Sequence, residues 1–102
     1  MAIQNFQVLQ EKVSNLDKDM LYIRICKNIK AFRLEKYKEF KNSNNHCRIN
    51  PYSTENIAAL LDYNHNHYKR FESENDSTKR IPLEKLIKLS IILDKNLEDF
   101  IK

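Results

Sequence analysis

Glycine does not occur once in these 102 residues, and proline occurs only at Pro51 and Pro82. Tight β-hairpin turns depend on residues that accept a positive φ, and glycine is the usual one. A chain without it is poorly suited to a sheet of several strands. Leu, Ile, Lys and Glu are plentiful instead, and these favour helix. The expected fold class is all-α. At this length the chain makes one domain with a single modest core.

Several classes are set aside early. No apolar run approaches the ~20 residues that cross a bilayer. The opening MAIQNFQVLQEKV lacks the basic-then-apolar layout of a secretory signal, so a cytoplasmic location and no membrane association are expected. Cys26 and Cys47 lack the paired spacing of a zinc ribbon or a redox motif, and reduced thiols are expected. The formal net charge is +4, unevenly spread. Residues 1–52 hold ten Lys or Arg against five Asp or Glu, and residues 53–102 hold eight against nine. The excess gathers at Arg24, Lys27, Lys30, Arg33, Lys36, Lys38 and Lys41, a run that suits phosphate or an acidic partner if it is more than a solvated helix face.

Along the chain, Ile3, Phe6, Leu9, Val13, Leu16 and Met20 step by three or four residues, as in an amphipathic helix with a short coiled-coil-like seam. Asp17 is the expected N-cap of the next helix. That helix carries Leu21, Ile25, Ile29 and Phe32 on one stripe and its basic residues on the others. The polar KNSNNHCRINPY, about 41–52, reads as a loop. The expected division is therefore residues 1–20 as an N-terminal helix for dimerisation or packing, and residues 21–102 as the main domain. No internal repeat or low-complexity segment stands out.

The stretch STENIAALLDYNHNHYKRFESE is the most informative. Ser53 suits an N-cap, Glu55 suits the positive end of a helix, and Tyr52 with Ile57 fits a hydrophobic staple. Ile57, Ala58 and Leu61 share one face. Asp62 then stands where a helix usually ends in a left-handed glycine, a place where Asp and Asn are tolerated at some strain. Asn64 caps a second short helix, about Asn64 to Ser73, in which Tyr68 and Phe71 point inward. Pro82 suits a first helical turn, and Leu83, Leu86, Leu89, Ser90 and Leu93 form the inner side of the helix that follows. LEDFIK ends the chain with Leu97, Phe100 and Ile101. These pieces predict a compact bundle of about five helices containing a helix-turn-helix, plus the extra N-terminal amphipathic helix.

From Ile25 to Phe100 the chain resembles the phage-repressor-like helix-turn-helix domains, the lambda-repressor or xenobiotic-response-element group. ICKNIKAFR, STENIAALLDYNHNHYKRFE and IPLEKLIKLSIILDKNLEDF carry the resemblance. It implies that Thr54, Asn64 and Arg70 meet DNA phosphate, and that His65, Asn66 and Lys69 turn toward base edges in the major groove. Ala58 matches the small residue at the helix crossing. It further implies a homodimer on a two-fold symmetric double-stranded site, with recognition helices ~34 Å apart. Two departures stand out: about fifteen residues separate Lys36 from Tyr52, where the family has a very short link, and Asp62 replaces the family's glycine.

The residue chemistry agrees with that role. Asn offers adenine a donor and acceptor pair, and Lys reaches guanine or phosphate. His65, His67, His46 and Cys47 carry zinc-ligand atoms, but neither HC nor HNH has the spacing of a zinc site, so no metal and no cofactor are expected. No nucleophile with its base is evident, and an enzyme is not expected. The leading expectation is a sequence-specific transcriptional regulator of a bacterium, phage or plasmid. One alternative is a protein-interaction module of the same fold, such as an antitoxin or an inhibitor of a nucleic-acid enzyme, favoured by Asp62, Glu72, Glu74 and Asp76. Another is a DNA-bound accessory of plasmid transfer or replication.

Overall fold

The computed structural model describes residues 5–43, 49–73 and 80–102, all helix or connection with no strand among them. Six helices follow in order: α1 Phe6–Ser14, α2 Lys18–Asn42, α3 Thr54–Leu60, α4 His65–Phe71, α5 Leu83–Leu93 and α6 Leu97–Ile101. Polar side chains start them as anticipated. Asp17 accepts from the Met20 amide, Ser53 from the Asn56 amide and Asn64 from the His67 amide. Each satisfies one donor that a helix N-terminus would otherwise leave open.

The core draws on five of the six helices. Ile25, Cys26 and Ile29 come from α2, Ile57 and Ala58 from α3 with Leu61 at its C-cap, and Tyr68 and Phe71 from α4. Ile81, Leu86, Leu89, Leu93 and Phe100 close it from the C-terminal side. Fully burying an aliphatic or aromatic side chain of this size contributes about 1.5–3 kcal/mol. α6 lies on α2, where the Phe32 and Phe100 rings meet edge to face at 5.2 Å. Asn28 of α2 donates to the Phe100 carbonyl at 2.7 Å and Arg24 to the Ile101 carbonyl at 3.1 Å, which satisfies the open end of α6.

The backbone turns sharply at two left-handed residues, Asp62 with φ 61° and Asp94 with φ 55°. At the first, the Tyr63 amide bonds the Ala58 carbonyl and the Asp62 amide that of Ala59. At the second, Lys95 bonds Ser90 and Asp94 bonds Ile91. This is the Schellman pattern, made twice without glycine. Both corners are written Leu-Asp-x-Asn, at Leu61–Asn64 and Leu93–Asn96, a short repeat that the sequence reading passes over.

Several expectations need correction. α2 runs on to Asn42, so much of the segment between Lys36 and Tyr52 is helix and the connection begins at Ser43. Pro82 is the N-cap of α5 and lies one position before its first turn. Leu83 is exposed, because the inner stripe of α5 passes through Leu86, Leu89 and Leu93. Arg33, placed among the outward basic residues, is buried. α1 buries none of its residues, so it does not fold back onto the domain. Ile3 lies outside the described residues.

Candidate nucleic-acid interface

The Asp62 corner sets α4 across α3, and the inward side of α4 is heavily constrained. Tyr68 and Phe71 enter the core, and Glu72 at the C-cap is also buried. Its carboxylate takes a two-pronged bond from Arg33, at 2.5 Å from Nε and 2.9 Å from Nη2. Arg33 Nη1 donates to the Tyr52 carbonyl at 3.1 Å, and the Tyr68 hydroxyl donates to the same carboxylate. One arginine thus ties the middle of α2 to the lead-in of α3 and the end of α4. Burial, and then the Glu72 charge, push the Tyr68 phenol far above its ordinary value. Burial opposes the Arg33 charge, but the bond to Glu72 and its negative charge outweigh this and hold Arg33 above its ordinary value. Sequence reading missed this network because charged residues 39 positions apart carry no local signal.

A second set of contacts fixes the corner itself. Tyr63, His67 and Phe71 stack with ring centroids 4.4 to 5.7 Å apart. Lys85 of α5 donates to the Leu61 carbonyl at 2.7 Å and sits over the Tyr63 ring at 5.0 Å. A cation at the C-terminal carbonyls of α3 is favourable both as a donor and against the helix dipole. Burial and the nearby Glu84 raise the Tyr63 phenol.

With the inner side of α4 held so firmly, its outer side has fixed positions. Asn66, Lys69 and Arg70 are exposed, and no bond or ion pair among the described residues engages their side chains. Asn64, Asn66, His67 and Arg70 line a shallow polar depression. Asn64 is exposed, and its oxygen is committed to capping α4. Thr54 and His65 are half-buried and bonded to each other, Oγ1 to Nε2 at 2.7 Å, which bridges the first residues of α3 and α4. The six candidate residues therefore divide into three open groups on α4, one cap, and a Thr54–His65 pair whose facing atoms already have a partner.

Elsewhere the chemistry is rearranged. The basic run on α2 is not a continuous outward face, since Arg33 is spent inside and Arg24 holds α6. Glu72, counted with the surface acids, is turned inward onto Arg33. Glu74, Asp76, His46 and Cys47 lie outside the described residues. Among the described residues no three His, Cys, Asp or Glu come together to hold a metal. None of their helices is long and apolar enough to cross a membrane. Comparison with family models, with curated proteins and with solved structures finds no match, and the functional reading rests on the residues themselves.

Proposed function

We propose that the chain is a sequence-specific DNA-binding protein, a cytoplasmic transcriptional regulator of the phage-repressor-like helix-turn-helix kind rather than an enzyme. The supporting observation is the contrast across α4: Tyr68, Phe71 and Glu72 are locked inside, while Asn66, Lys69 and Arg70 stand exposed with no side-chain bond among the described residues. A helix held from behind presents its outer side chains at defined spacing, which reading a groove requires. In this proposal Asn66 and Lys69 face base edges and Arg70 faces phosphate. The Thr54 and His65 pair sits where the first residues of α3 and α4 approach the same backbone. The protein acts as a homodimer on a two-fold site.

The protein-partner alternative loses one of its charges, because Glu72 is neutralised inside; Asp62 is the exposed acid that remains of that group among the described residues. Binding to random-sequence duplex DNA across a salt series separates the two. A DNA binder loses affinity with a log–log slope of several units because counterion release is less favourable at higher salt. Arg70→Ala, which removes a phosphate contact, lowers that slope by about one, and Lys69→Ala weakens binding. No binding at low salt would move the assignment to a protein partner.

A further inference from the structure

The stack at the Asp62 corner holds a histidine that stands outside the six candidate residues. Tyr63, His67 and Phe71 recur every fourth position, and their rings lie nearly parallel, with interplanar angles of 21° to 29°. The His67 ring centroid is 4.4 Å from that of Tyr63 and 5.4 Å from that of Phe71. Tyr63 and Phe71 are themselves 5.7 Å apart, too close for a ring between them. The imidazole therefore lies across both from one side, and the residue stays exposed. Two aromatic rings fix its plane, and its backbone amide is held by the Asn64 cap. No bond or ion pair among the described residues engages its ring nitrogens. His67 lines the polar depression on α4 together with Asn64, Asn66 and Arg70.

We infer that His67 is a further DNA contact, meeting a backbone phosphate as the imidazolium and making the affinity for DNA depend on pH. This contact presupposes the DNA-binding reading above. Histidine is the side chain whose ordinary charge change falls between pH 5 and 8. A phosphate beside the ring favours the protonated form, because both ring nitrogens then donate and the charges are opposite. Coupling is reciprocal, so a proton that DNA helps to bind must in turn tighten DNA. Affinity therefore rises as pH falls and is lost as pH rises again. The rings behind the imidazole accept its charge, since a cation over an aromatic face is attracted to it. The charged and titratable groups around the stack are Asp62 and Tyr63 at the corner, Arg70 on α4, and Lys85 and Glu84 on α5. The Tyr63 phenol, raised by burial and by Glu84, stays neutral. Arg70 and Lys85 balance Asp62 and Glu84, so a proton on His67 tips an even neighbourhood toward phosphate. His65, the other histidine of α4, already has its Nε2 bonded to Thr54.

The test is fluorescence anisotropy with a labelled random-sequence duplex, over a salt series at about pH 8 and about pH 5.5. The wild type should bind about tenfold more tightly at the lower pH, with a log–log salt slope steeper by about one. His67→Gln keeps a polar side chain without a titrating charge. It should match the wild type at the higher pH and gain nothing at the lower. His67→Arg, a permanent cation that also stacks on aromatic rings, should hold the tighter affinity at both. His65→Gln should respond to pH as the wild type does. A stack with a structural role alone would move the thermal transition of His67→Gln and leave the pH profile as it was. Wild-type binding equal at the two pH values would overturn the proposal while leaving the DNA reading in place. So would a pH response that survives His67→Gln, or one that disappears with His65→Gln. No binding at either pH, even at the lowest salt, would overturn the DNA reading and this contact with it.

Discussion

Leu61–Asp62–Tyr63–Asn64 and Leu93–Asp94–Lys95–Asn96 bend the backbone in the same way, with a buried leucine, a left-handed aspartate and an asparagine leading into the next helix. A lysine braces each corner. Lys85 reaches the first from α5, and Lys95 reaches from the second toward Phe32 and Glu35 of α2. Beyond the bend the two diverge. α4 continues with exposed Asn66, Lys69 and Arg70, whereas α6 carries Glu98 and Asp99 in its first turn and has its terminal carbonyls held by Asn28 and Arg24. One bend therefore delivers an open, cationic helix face and the other a docked, acidic peg. Backbone geometry alone does not determine whether the helix after a bend keeps an open face. The residues after the bend, and what holds their inner side, decide it.

The largest expected difference between the corners lies in that hold. Glu72→Ala leaves the Arg33 guanidinium buried without its partner, and breaking such a pair costs about 3–5 kcal/mol. Urea denaturation should report a loss of that size, and Arg33→Met combined with Glu72→Met should recover much of it. The second corner has no matching buried ion pair among the described residues, so Asp99→Ala should cost far less. Equal losses at the two corners would erase the distinction.

A middle-sized effect concerns reading. Asn66→Ala should reduce discrimination between a selected DNA site and a single-base variant by about 1–3 kcal/mol, measured by competition binding. Glu98→Gln on α6 should leave that discrimination unchanged. Sensitivity at Glu98 with none at Asn66 would reverse the roles assigned to the two helices.

The smallest effect isolates the aspartates. Glycine relieves left-handed strain but adds freedom to the unfolded chain, so Asp62→Gly and Asp94→Gly should each change stability by under about 1 kcal/mol. Their effects on DNA should differ: removing the Asp62 charge next to α4 should raise affinity severalfold at low salt, and removing that of Asp94 should not.

Most of this fold was legible because its signals are local. The missing glycine, the caps at Asp17, Ser53 and Asn64, the left-handed Asp62, and the inward Tyr68 and Phe71 are each decided within a few residues of sequence. What sequence could not provide is distant pairing. Arg33 reads as one more surface cation until Glu72 arrives beside it, and Thr54 and His65 read as two independent contacts until the corner joins them. Leu83 was assigned inward by apolarity alone, although the arc its short helix buries is narrow and takes only part of its apolar set. The second Leu-Asp-x-Asn corner went unread because a four-residue repeat with different flanks gives little pattern to detect.

The central claim is that the outer side of α4, and not that of α6, meets DNA. Titrating isotope-labelled protein with random-sequence duplex at low salt, and following its backbone amide resonances, tests this directly. Shifts should concentrate at Thr54 and across Asn64 to Arg70 and leave Asn96 to Lys102 undisturbed. Shifts gathered on α6, or a spectrum that does not respond to DNA at all, would contradict it.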